Sequence, residues 1–491
     1  MRIFRDILSK VQRRDIFLVL LFTIAALYFR SQNFANSIAF DSDFGRDSLF
    51  ALRIMRGDLT LLGPQASVGG FYLAPLYFYG IAVVYLLFGL HPPMMVLTFI
   101  LMGVFTVVVG YLVLRRHLSA FAGILFALLA STHPALVVAS RTATNQPMMP
   151  LVTVLFFGVY LEAIKRQQYR WFFIAGLVFG LFFHVHFSAL LLLPAVGLLL
   201  LYQTRGTFQR KIIAAVLFAT GIIVMISPLI VFDISHHFIT SKAFLQYLLD
   251  SAAGKGIAAN HPHLSFIEKL DRIVSFTLQN KLLSIVLLGL LGIGMRIKRS
   301  SLFANVTIFT LSLSALGSII MLLLYSGYLY DYYLLIPMTL FLLWTAAVAS
   351  QVRPRFLIVV VILLLTLSQW RNLRFPEIFR TQENIQFVVD RIRADIDSTQ
   401  PTSFTIFKDS SDRLTGIGYE YRFLLEKAGY QPVFEQSYEK AQVLYYIQEE
   451  GTKDPLVSTN WETTQFGATK KELLEKVQTN HGVVAVYRLT R

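Results

Sequence analysis

The chain has 491 residues, of which 55% are hydrophobic and 15% charged, with a net charge of +15 and no cysteine. Soluble domains run near 45–50% apolar and 25% charged, so an ordinary soluble fold is excluded, and the missing cysteines exclude disulfides and thiolate metal sites. The positive charge stands in short clusters between apolar runs, the pattern of topology signals and anionic-lipid contacts, so no nucleic acid partner is expected.

The N-terminal MRIFRDILSKVQRRD is basic, and the apolar run after it lacks a small-residue cleavage site. It reads as a retained first helix and not as a signal peptide. Apolar segments follow at 16–32, 72–89, 94–114, 119–138, 147–164, 170–186, 187–203, 211–232, 280–296, 302–325, 329–350 and 355–371. Each is long enough to approach or span a hydrocarbon core of about 30 Å. Unpaired backbone is intolerable in lipid, so the class is a polytopic α-helical membrane protein.

Cationic clusters precede residue 16 and recur at Arg115-Arg116-His117, Lys165-Arg166, Arg205 to Lys211, Arg296 to Arg299 and Arg353 to Arg355. Positive residues in short loops mark the cytoplasmic side. If all twelve segments cross, every cluster after the first falls outside; if 72–89 does not cross, all fall inside. The sequence therefore predicts about 11 transmembrane helices, with 72–89 as an outer juxtamembrane or re-entrant helix opening on GGFYLAPLY. The N-terminus is then cytoplasmic, in a plasma (inner) membrane, and the outer loops include 33–93 and 233–279.

The first outer loop holds FDSDFGRDSL. On a helix starting near Asp43, Arg46 and Asp47 share its face at i+3 and i+4. One reading is structural: Asp43 caps a helix that runs to Met55 and stops before Gly57. The other is chemical, a general base or ligand at the membrane surface beside Asp41 and Asp47, tuned by a neighbouring arginine. Later, FDISHHF sets His236 and His237 at i+3 and i+4 from Asp233, a spacing that converges on one helical face but lacks an obvious third metal ligand. No phosphate-loop spacing is present.

Read as D-x-x-R followed ten residues on by G-D, the set Asp43, Arg46, Gly57 and Asp58 resembles the first outer loop of GT-C glycosyltransferases. The resemblance is to the branch of protein O-mannosyltransferases and lipid A aminoarabinose transferases (glycosyltransferase family 39-like). SRTATNQP at 140–147 resembles the second outer loop, GLVFGLFFHVHFSALLLLP the glycine-punctuated helix pair, and YDYYLLIPMTLFLL a late Tyr/Pro-containing span. The resemblance implies transfer of a hexosyl or pentosyl group from a polyprenyl-phosphate sugar donor to a hydroxyl of a protein, lipid or glycan acceptor, with inversion and with Asp43 as general base. It implies donor-binding roles for Arg46, Arg141, Asn145, His186, Tyr330 and Tyr333. Arg141 reads equally as a charge snorkelling to the interface, and each tyrosine taken singly reads first as part of an interfacial aromatic belt.

His184 and His186 are two apart, so a joint metal site needs a broken helix. Relatives often carry an aspartate where this chain has Asn145-Gln146, which argues against the divalent cation used by oligosaccharyltransferases; no cofactor is required, and a divalent cation is an open but disfavoured alternative. The rival readings are a flippase or transporter of a lipid-linked substrate and, within the enzyme class, an oligosaccharyltransferase-type enzyme; transporters commonly show repeated halves, and no internal repeat is visible. Residues 1–375 form the membrane domain by composition, and 376–491 an extracytoplasmic soluble α/β domain. There SFTIF, AQVLYYI and GVVAVYRL read as strands, and KELLEKV as an amphipathic helix.

Overall fold

A computed structural model describes residues 13–66, 68–253, 264–297, 304–327, 329–353, 355–409, 416–449, 454–479 and 482–491. Residues 1–12 of the basic N-terminal stretch, His261, His263, Lys298, Arg299 and Tyr328 lie outside the described residues. The chain forms two compact units: Met1–Gln32 with Thr60–Tyr77 and Leu97–Arg374, and Asn33–Leu59 with Phe78–Val96 and Phe375–Arg491.

The larger unit is helical. Among the described residues of the chain, six helices are long and apolar enough to cross a membrane: Pro92–His117, Gln146–Arg166, Phe208–Met225, Val306–Leu324, Asp331–Ala349 and Arg355–Asn372. A seventh crossing arises if Phe266–Leu278 and Lys281–Ile293, bent by 89°, count as one. The sequence predicts eleven, and part of the difference lies in breaks that an unbroken apolar run conceals. Pro134 divides 119–138 into Ala120–Thr132 and Pro134–Ala139, and a short 3₁₀ turn, Phe187–Leu191, precedes Leu193–Gln203. Leu76–Phe88 has 13 residues, about 20 Å at 1.5 Å per residue, short of the hydrocarbon core.

Small residues draw these helices together, as packing in lipid demands. A Cβ on Gly176 would lie 2.0 Å from the Phe218 carbonyl oxygen, and one on Gly221 2.3 Å from that of Phe173. Helices Tyr169–Gly180 and Phe208–Met225 therefore meet backbone to backbone at glycines. Leu335–Ala349 is apolar all round and buried on nearly every side, as a central helix must be.

The smaller unit carries a four-stranded sheet of order Phe404–Asp409, Val443–Gln448, Gly482–Thr490, Lys470–Thr479. The first pair is parallel and the other two antiparallel. Val443–Gln448 is buried along its whole length, which explains why VLYYIQ is a nearly continuous apolar run. The three expected strands are present. The expected helix over KELLEKV is instead an edge strand, Lys470–Thr479, with an irregularity between Leu473 and Glu475. Its helical spacing was outweighed by ladder pairing with Gly482–Thr490, and the irregularity puts its charges where a strict alternation would not.

The helix Ser42–Met55 belongs to this same unit and lies on the helix Tyr419–Lys427. Gly45 makes the crossing: a Cβ there would fall 2.3 Å from the Glu420 nitrogen and 2.4 Å from its Cα. Phe40 meets Phe44 and Phe423 edge on, and Phe50 stacks on Phe78 at 4.9 Å.

Candidate functional site

In the smaller unit the helix cap is Asp41, two residues before the position expected for it. Asp41 Oδ1 accepts from the Phe44 amide at 2.9 Å, leaving Asp43 in the first turn with 55% of its side chain exposed. Arg46 lies between two carboxylates: its guanidinium is 2.7 Å from Asp43 Oδ1 and 2.8 Å from Asp47 Oδ1, and Asp47 is fully buried. The helix stops where the sequence indicates, at Met55, because Gly57 takes φ +97°, a left-handed conformation that glycine adopts without strain. The arrangement presents an exposed carboxylate in the first turn of a helix, aligned by an arginine that also pairs with buried Asp47.

Burial pushes the Asp41 carboxyl up from 3.8 to about 6, with Asp43 and Glu420 adding repulsion and the Phe44 amide and Lys408 opposing. The folded state thus holds this proton more tightly than the unfolded state, so stability falls as pH rises from about 4 to about 6, and the penalty is complete above that. Asparagine caps as well as aspartate. Asp41→Asn is therefore expected to raise the melting temperature at pH 7.5 by ~2–4 °C, about 1 kcal/mol after discounting for partial exposure. The gain should shrink at pH 4.5; equal gains at both pH values would refute the assignment.

In the larger unit the apolar run 170–203 breaks where the two histidines stand. Tyr169–Gly180 passes into a 3₁₀ turn, Leu181–His184, and His186 opens the next, Phe187–Leu191. His184 is consumed structurally: Nδ1 accepts from the Leu76 amide at 3.0 Å and Nε2 lies 3.0 Å from the Met225 carbonyl. His186 Nδ1 accepts from the Ser188 amide at 3.0 Å. A neutral ring bound this way carries its proton on Nε2 and can donate it. The ring packs on Tyr332 and Tyr333, each at 5.0 Å, and Tyr330 stacks on Tyr332 at 5.1 Å. Asn145 donates to the Val185 carbonyl. Asn145, His186, Tyr330 and Tyr333 are thus brought together around one helix break. The segment after Gly63 docks there as well, through the Ala74 amide on the Phe183 carbonyl and Phe71 on Phe187.

Arg141 has a partner in the N-terminal helix. It is buried, and its guanidinium donates to the Arg30 carbonyl at the end of helix Arg13–Ser31. Arg30 in turn donates to the Ala130 and Ser131 carbonyls in the last turn of helix Ala120–Thr132, where unpaired carbonyls favour a cation. Asp233 binds the Thr240 and Ser241 amides and the Ser241 hydroxyl, and His236 stacks on Phe232. No group of three or more metal-ligating side chains occurs among the described residues.

Sequence reasoning missed Arg30 and a buried triad of Ser42, Lys408 and Glu420. Its one legible trace is a lysine inside the apolar strand FTIFKD.

This fold, a bundle of apolar helices with broken spans and a small mixed sheet, is shared with solved structures. The chain matches ArnT from Cupriavidus metallidurans bound to undecaprenyl phosphate over 96% of its own length and 98% of that chain, at 14% identity and a TM-score of 0.59. The apo form of that protein gives a TM-score of 0.55 at 14% identity, over 96% of this chain and 97% of that one. The oligosaccharyltransferase of Archaeoglobus fulgidus, in complex with zinc and sulfate, gives 0.51 at 12% identity over 84% of this chain and 62% of that one. Residues 73–232 match a family model described as dolichyl-phosphate-mannose-protein mannosyltransferase. That match begins beyond the acidic helix and covers SRTATNQP and the histidine break. No curated protein matches the sequence.

Proposed function

We propose that this chain is an integral membrane glycosyltransferase of the extracytoplasmic face, moving one sugar from a polyprenyl-phosphate donor to an acceptor hydroxyl. The observation that carries the reading is the exposed Asp43 carboxylate held by Arg46 against buried Asp47. The fold shared with a protein captured on undecaprenyl phosphate supports a lipid-linked donor.

Asp43 takes the proton of the acceptor hydroxyl. The hydroxyl oxygen bonds to the anomeric carbon as the bond from that carbon to the phosphate oxygen breaks, and the lipid phosphate leaves with the electron pair. Attack opposite the leaving group inverts the anomeric centre. A carboxylate within reach of the incoming hydroxyl suits the first role, and cationic or N–H donors suit the departing phosphate. Arg46 is assigned to that second role, and within the larger unit the His186 Nε2–H is assigned to donor binding. Asn145, bonded to Val185, holds the break that presents His186; Tyr330 and Tyr333 wall it. Arg141 supports the second loop from the end of a helix.

The test uses purified protein in detergent with a panel of polyprenyl-phosphate sugars and hydroxyl acceptors, with and without EDTA. The reading expects free polyprenyl phosphate, a product of inverted anomeric configuration by NMR, and the same rate in EDTA. A retained configuration rules out direct displacement with Asp43 as base.

A further inference from the structure

Ser42 stands one residue before Asp43 and is 2% exposed. Its hydroxyl donates to Glu420 Oε2 at 2.7 Å and accepts from the Lys408 ammonium at 2.8 Å. The same ammonium donates to Glu420 Oε1 at 2.9 Å, and both charged side chains are wholly buried. Lys408 comes from the strand Phe404–Asp409 and Glu420 from the helix Tyr419–Lys427. One triad therefore joins the start of the acidic helix to two elements of the sheet module.

Two further restraints act along the same helix. Gly45 lets it lie directly on the Tyr419–Glu420 backbone. At its far end Arg53 pairs with Glu435 at 2.6 Å and Arg56 with Glu426 at 3.1 Å. Within this restrained helix Asp43 and Arg46 keep 55% and 25% of their side chains exposed. A buried ion pair is weak evidence for stability, since apolar replacements often serve as well. Directional bonds do what apolar packing does not: they fix the axial position and rotation of the helix. A general base must be held within about 0.5 Å of its working geometry.

We propose that the sheet module is the positioning scaffold of the acidic helix, with Ser42, Lys408 and Glu420 as the positioning residues for Asp43. The inference rests on the function proposed for Asp43.

The deciding variant is Ser42→Ala, which cuts the helix from the triad and leaves the Lys408–Glu420 pair intact. It is compared with wild type and Ser42→Thr in the full chain, by amide hydrogen exchange over 43–56 and by turnover of a polyprenyl-phosphate sugar. The expected result is at least tenfold faster exchange in that helix and a tenfold or greater fall in kcat. Donor KM should stay within twofold, and threonine should restore part of both effects. Unchanged exchange overturns the proposal, and so does faster exchange with unchanged kcat. A wild-type protein that turns over no donor refutes the proposed function instead, while the exchange comparison still decides whether the triad holds the helix.

Discussion

Asp43→Asn is expected to lower kcat by about 10²–10⁴, the usual contribution of a positioned general base, while donor affinity stays within about threefold. Folding should hardly change. Asp41, not Asp43, caps the helix, and the Asp43–Arg46 pair is exposed on the Asp43 side, where such pairs contribute about 0–1 kcal/mol. Asparagine keeps the size and polarity of the side chain but cannot take the acceptor proton. The check is single-turnover release of polyprenyl phosphate alongside donor binding for both proteins. Turnover within twofold of wild type would remove Asp43 from the chemistry.

The second large effect is on stability. Glu420→Gln leaves the Lys408 ammonium buried without its carboxylate, and breaking a fully buried pair costs about 3–5 kcal/mol. The double change Lys408→Met with Glu420→Gln removes both charges, and the amide introduced at position 420 keeps a carbonyl oxygen that accepts from the Ser42 hydroxyl. It is expected to recover most of the loss, a coupling that a double-mutant cycle reads directly. In thermal melting, the single variant should fall by ~10 °C and the double variant by less than half of that. A single variant melting within 2 °C of wild type would show that the pair is dispensable to the fold.

The membrane class was legible because hydropathy reports it directly, and the end of the acidic helix was legible because Gly57 marks it. The pairing of Asp43, Arg46 and Asp47 followed from helical spacing alone. The cap was misplaced by two residues because Asp41 and Asp43 are chemically equivalent and only backbone geometry separates them. His184 and His186 could not be told apart by type. The structure distinguishes them, because both nitrogens of His184 are engaged, whereas His186 Nδ1 alone is bonded to an amide. The triad was illegible for a different reason. Ser42 and Lys408 are 366 positions apart, and no local pattern encodes a contact of that range. KELLEKV failed as a helix because pairing with a distant strand overrode its own spacing.

The central claim, that the lipid-linked sugar is transferred and not carried across, is tested most directly in proteoliposomes holding a polyprenyl phosphate with a radiolabelled sugar and an accessible hydroxyl acceptor. The account predicts that label moves to the acceptor in step with release of free polyprenyl phosphate, and that Asp43→Asn abolishes both. Label that changes leaflet with its sugar–phosphate bond intact, in wild type and Asp43→Asn alike, would contradict it and make the protein a flippase.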